Sequence, residues 1–133
     1  MHFLKNYTIR EELGGQKIRK FGRTILIEDK RSKLLRVAKI IDKNSKKSTP
    51  PELLQQESTF NFEHPSLPQV IEHGETNEIA FLILDYKPGV TINLHWEKLK
   101  RKERHPFLLK LLAKLSSIFV ILKEEDIAHC DIK

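Results

Sequence analysis

The run His129-Cys130-Asp131-Ile132-Lys133 places an aspartate two residues before a lysine. On a loop, a carboxylate at that spacing can accept a hydroxyl proton while the ammonium neutralises a phosphate in transfer. A second lysine, Lys39, interrupts the largely apolar run of residues 34–41, which also carries Arg36. If that run is a strand, Lys39 shares a face with Val37 and Ile41, because side chains alternate. A charge on such a face must be paired or meet a ligand. Glu57, in the helical segment that follows, is the candidate counter-charge, with Glu52 as the alternative. A buried lysine held by a helical carboxylate, near the glycines Gly14, Gly15 and Gly22, suits the handling of phosphate. Taken alone, a histidine such as His129 is more often a hydrogen-bonded structural residue than a catalyst, and a cysteine such as Cys130 more often an unreactive structural thiol.

The elements that would position these groups read as an α+β pattern. Residues 7–13, 23–28 and 34–41 predict three strands joined by polar turns, an antiparallel meander. The third is nearly all apolar and is expected to be buried on both faces. Pro50-Pro51 opens a helix over 52–60, proline being tolerated in the first turn. His64-Pro65-Ser66-Leu67-Pro68 ends it, and residues 69–74 and 79–86 predict two more strands. Residues 91–104 read as a polar, basic helical stretch. Residues 107–122, from Phe107 to Leu122, form a helix interrupted only by Lys110, Lys114, Ser116 and Ser117. It is apolar beyond one stripe and is expected to be covered from several sides.

The 133 residues are 39% hydrophobic and 32% charged, the balance of a globular domain. No uninterrupted apolar run approaches the roughly 18–20 residues that span a bilayer, and residues 1–6 lack the apolar region of a secretion signal. The single cysteine excludes an internal disulfide framework and a cysteine-only zinc site. Together these place the expected location in the cytoplasm, with no membrane. The net charge of +6 admits nucleic acid, an acidic partner or a phosphate-bearing ligand. No RNP-like, zinc-ligand or helix-turn-helix pattern accompanies it, so nucleic-acid binding rests on charge alone. Solvated loop and helix surface is the commoner origin of such basic clusters.

In their order and spacing these motifs resemble the protein-kinase family over residues 7–133. Gly14, Gly15 and Gly22 are similar to its glycine-rich loop, and Val37-Ala38-Lys39 to the strand whose lysine holds the α- and β-phosphates of ATP. Glu57 resembles that lysine's partner on the family's αC helix. Leu84-Asp85-Tyr86-Lys87-Pro88-Gly89 resembles the gatekeeper and hinge. The resemblance implies that backbone groups of Asp85 and Lys87 hold adenine between Val37 and Leu84. It implies that Asp131 orients or deprotonates the substrate hydroxyl and that Lys133 steadies the γ-phosphate. Lys133 also places the likeness with the serine/threonine kinases. The implied fold is a kinase-like N-lobe over 1–86, a five-stranded antiparallel sheet with one αC-like helix. Residues 87–133 would be the hinge, αD- and αE-like helices and the start of the catalytic loop.

The chain departs from the family in several places. The Gly14–Gly22 span is longer than usual and carries Lys17, Arg19 and Lys20, as an insertion or as extra phosphate ligands. Thr24 stands where an apolar residue usually covers adenine, and Cys130 where an arginine usually meets a phosphorylated activation loop. The catalytic-loop asparagine and the Asp-Phe-Gly magnesium ligand are not among these residues, and no metal ligand set is assigned. The expectation is therefore a truncated serine/threonine-kinase-like protein that binds ATP, is weak or inactive alone, and uses Mg only if those motifs are supplied. Its partners would be ATP and a protein substrate. The alternative is a non-catalytic binding module that docks, or pairs as a homo-oligomer, through the 107–122 helix.

Overall fold

A computed structural model of the chain describes residues 4–13, 22–45 and 50–127. These form strands β1 (Tyr7–Leu13), β2 (Arg23–Asp29), β3 (Leu35–Asp42), β4 (Val70–Glu75) and β5 (Ile79–Asp85), and helices α1 (Pro51–Ser58), α2 (Ile92–Lys98) and α3 (Arg101–Glu124). The chain divides into two compact units. The first comprises residues 1–63 and 68–86, and the second residues 64–67 and 87–133.

In the first unit all strand pairings are antiparallel, in the order β1-β2-β3-β5-β4. Turn chemistry fixes the β2–β3 register. The Asp29 carboxylate accepts the amides of Arg31 at 2.8 Å and Ser32 at 2.9 Å, and Lys33 takes a left-handed φ of 62°. Those two amide bonds hold the Asp29 carboxyl below its usual pKa of 3.8. At the other end of β2, Gly22 has φ 89°, and a Cβ there would stand 2.3 Å from the Ile40 carbonyl oxygen. Only glycine fits.

The sheet buries apolar side chains on both faces. One face holds Tyr7, Ile25, Ile27, Ala38, Ile40, Phe81 and Ile83, with Leu4 packed against them. Tyr7 on edge strand β1 donates its hydroxyl to Glu72 on the opposite edge, β4, at 3.1 Å. Laid flat, four strand spacings would hold those edges about 19 Å apart, so the sheet curls around this cluster. The other face packs Ile41, Ala80, Leu82 and Leu84 against Leu54 of α1, with Val70 beside them. α1 starts at Pro51, as proline at the first helical position favours, and turns Leu54 and Ser58, four residues apart, to the sheet.

β3 is less buried than its composition implies. Ala38, Ile40 and Ile41 are buried, but Leu35 is exposed and Arg36, Val37 and Lys39 are half-buried. An apolar run reports composition, whereas burial depends on how far the covering helix extends, and α1 has only eight residues.

In the second unit the basic stretch forms two helices rather than one. Extended backbone at Leu99 and Lys100 separates α2 from α3. The Glu103 carboxylate accepts the Lys100 amide at 2.7 Å, which starts α3 before Pro106 rather than after it. Phe107 meets the His95 ring at 4.9 Å and the Trp96 ring at 6.3 Å between centroids. Arg104 stacks over Trp96 at 5.0 Å. His64 joins this unit through a relay. Its Nδ1 accepts the Ser66 amide at 3.0 Å, which leaves the proton on Nε2 to donate to Ser117 Oγ at 3.1 Å. Ser117 in turn donates to the Lys114 carbonyl at 2.7 Å.

The expectation that residues 107–122 are covered from several sides is overturned. Only Leu122 on α3 is buried. Leu109, Leu112 and Val120 are 56%, 58% and 55% exposed. α3 is also long and apolar enough to cross a membrane by length and composition, with mean hydropathy 1.6 over an 18-residue window that is 6% buried. Counting uninterrupted runs hides this, because Lys110 and Lys114 break the run without cancelling its average. The core helix of a soluble protein passes the same test, though it is mostly buried.

Candidate functional site

Lys39 and Glu57 meet. The Lys39 ammonium on β3 forms an ion pair with the Glu57 carboxylate in the last turn of α1. Two placements bring them together. Strand alternation puts Lys39 on the α1 side of the sheet with Ile41, and the helical repeat puts Glu57 beside Leu54 and Ser58, the residues that anchor α1. Ser58 is pinned by donating its hydroxyl to the Gln55 carbonyl at 2.6 Å. Glu52 lies in the first turn of α1 and is exposed. The pair is not buried as the sequence implies. The Lys39 and Glu57 side chains are 37% and 39% exposed, so both reach solvent.

Around this pair the sheet register orders two cross-strand rows on the same face. Thr24, Lys39 and Leu82 form one row, and Leu26, Val37 and Leu84 the next. The apolar residue of β2 level with Val37 and Leu84 is therefore Leu26, which is buried, and Thr24 stands opposite Lys39. Motif spacing in the sequence points to Thr24 and passes over Leu26. The signal was present, since Thr24 and Leu26 are two apart and share a face. The rows place an ammonium beside an apolar strip, an arrangement that suits a flat apolar ring bearing an anionic chain.

At the end of β5, the Asp85 amide donates to the Gln69 carbonyl at 3.0 Å, and the Asp85 carboxylate accepts the Gln69 amide at 2.6 Å. Asp85 thus ties β5 to the residue before β4, and its N–H is committed within the sheet. Lys87 is exposed and belongs to the second unit. Gly14, Gly15, His129, Cys130, Asp131 and Lys133 lie outside the described residues. Gly22 is described, and its positive φ ends the glycine-bearing span against β3.

Two cavities lie elsewhere. One of about 240 Å³ sits between α1 and the β4–β5 pair, lined by Leu54, Gln55, His73 and Phe81 among others. The other, about 500 Å³, lies between α2 and α3 beside His95, Phe107, Leu111 and Lys114. Among the described residues no cluster of three or more His, Cys, Asp or Glu could hold a metal ion. Several basic residues pair with carboxylates: Arg10 with Glu28 and Arg23 with Glu12 across β1 and β2, and Lys43, just past β3, with Glu75 at the end of β4. No protein-family model matches the chain, and no curated protein matches it significantly.

Proposed function

We propose that the chain is the nucleotide-binding part of a serine/threonine-kinase-like phosphotransferase, with ATP as the ligand of the first unit. The ion pair of Lys39 with Glu57, beside the row of Leu26, Val37 and Leu84, carries this reading. Those residues fit the ligand. The Lys39 ammonium offers charge to the phosphates, Glu57 keeps that ammonium in place, and the apolar row offers walls to the base. ATP bound there would supply the phosphoryl group for a protein serine or threonine hydroxyl. Asp131 and Lys133 would then act at the hydroxyl and the γ-phosphate. Mg ions would need ligands that these 133 residues do not carry in the family's pattern, so transfer by this chain alone is expected to be weak.

Calorimetric titration with ATP tests the reading. Lys39→Ala removes a charge-assisted contact of about 1.5–3 kcal/mol, which is roughly ten- to hundredfold in affinity. An unchanged affinity, or no binding by the unaltered chain, would rule out the assignment of Lys39. A second reading, a non-catalytic module acting through α3, is favoured by the exposure of Leu109, Leu112 and Val120. Under it, loss of nucleotide binding would leave partner binding intact.

A further inference from the structure

We infer that two copies of this chain pair through α3, antiparallel, about a two-fold axis near the turn that holds Ala113 and Ser116. The inference stands whether or not the chain binds nucleotide. At about 100° per residue, Leu108, Phe119, Leu112, Leu109 and Val120 share a sector of roughly 120°, with Ser116 in its middle. The five apolar residues are 40% to 58% exposed. A contiguous apolar face on that scale marks a contact surface. Between Leu108 and Val120 the one polar residue inside the sector does not need water. Ser116 Oγ donates to the Leu112 carbonyl of its own helix at 2.8 Å, so Ser116 can enter a dry contact. Ala113 and Ser116 are also small, which lets two helices approach closely at the centre.

Charge identifies the occupant as a second copy. Lys100, Arg101, Lys102 and Arg104 against Glu103 make the start of α3 strongly basic. Glu124, Glu125 and Asp126 against Lys123 make its end acidic. A lone helix favours the reverse, acids at its N-terminus and bases at its C-terminus, because of its macrodipole. Two α3 helices laid antiparallel satisfy both. Each basic start meets the partner's acidic end, and the two macrodipoles lie side by side in opposite directions. The contact is isologous, so one patch serves both copies and the assembly closes at two.

Light scattering and sedimentation equilibrium of the whole chain over a range of concentrations test this. The unaltered chain is expected to be dimeric, and Leu112→Glu to be monomeric with unchanged circular dichroism. Arg101→Glu with Lys102→Glu makes both ends acidic, and Glu124→Lys with Glu125→Lys makes both basic. Each variant alone is expected to dimerise at least about tenfold more weakly, and an equimolar mixture to recover the dimer. A monomer at every concentration overturns the proposal, as does a mixture that fails to recover. Co-sedimentation of the monomer with phosphatidylglycerol vesicles, lost in Leu112→Glu, also overturns it and gives the face to a bilayer.

Discussion

Lys39 and Glu57 are each more than one-third exposed, and a pair that open to water contributes at most about 1 kcal/mol to stability. Its consequence is positional, because it holds an ammonium at a defined point on β3. Glu57→Gln is therefore expected to shift the urea midpoint little while weakening ATP binding about tenfold, the size of one lost charge-assisted bond. Equal loss of stability and affinity would make the pair structural instead. Tyr7 has the opposite character. Burial, and the hydrogen bond and negative charge of Glu72, push its hydroxyl from 10.0 up to about 12. The folded state holds that proton more tightly than the unfolded chain does. The stability it brings is complete below pH 10 and is lost as pH climbs toward about 12. Urea midpoints of the unaltered chain should fall over that interval, and those of Tyr7→Phe should lack that component. Parallel curves for the two would place edge closure elsewhere.

The β2–β3 hairpin and α1 are the elements on which the candidate site depends, and each has one position where substitution should tell. Gly22→Ala adds a Cβ at positive φ, 2.3 Å from the Ile40 carbonyl, and is expected to cost about 1–3 kcal/mol by strain at that φ. Leu54→Ala removes the one buried apolar side chain of α1. Core truncations of this kind cost about 2–5 kcal/mol, and the loss should loosen α1 and carry Glu57 away from Lys39. Thermal melts with nucleotide titrations separate the two, since Gly22→Ala leaves α1 seated. The same elements show what the sequence made legible. Alternation in 34–41 placed Lys39 on the α1 side, and Pro50-Pro51 located the start of α1, because both signals act within a few residues. The part-exposed state of the pair was not legible, since it depends on how far α1 reaches across the sheet. His105-Pro106 read as a helix boundary, but the bond from Glu103 to the Lys100 amide starts α3 earlier. The approach of β1 to β4 is a property of the curled sheet, and no local pattern in Tyr7 or Glu72 announces it.

Across the whole chain, apolar side chains are distributed unequally between the two units. In the first, Ile25, Ile27, Ile41, Leu82 and Ile83 are fully buried, at roughly 1.5–3 kcal/mol for each side chain removed from water. In the second, α3 carries a comparable supply of leucines with only Leu122 buried. Protection from hydrogen exchange follows local stability, from near zero in loosely held segments to the global value in the core. At low concentration the amides of β2, β3 and β5 should therefore exchange slowest and those of α3 markedly faster. Raising the concentration should slow exchange in α3, most around Leu112 to Phe119, and leave the sheet unchanged, because association stabilises only the segment it covers. Mass spectrometry of the labelled chain at two concentrations reads both effects. If α3 were as protected as β5 in the dilute chain, its exposed leucines would already have a cover, and no second copy would be needed to supply one.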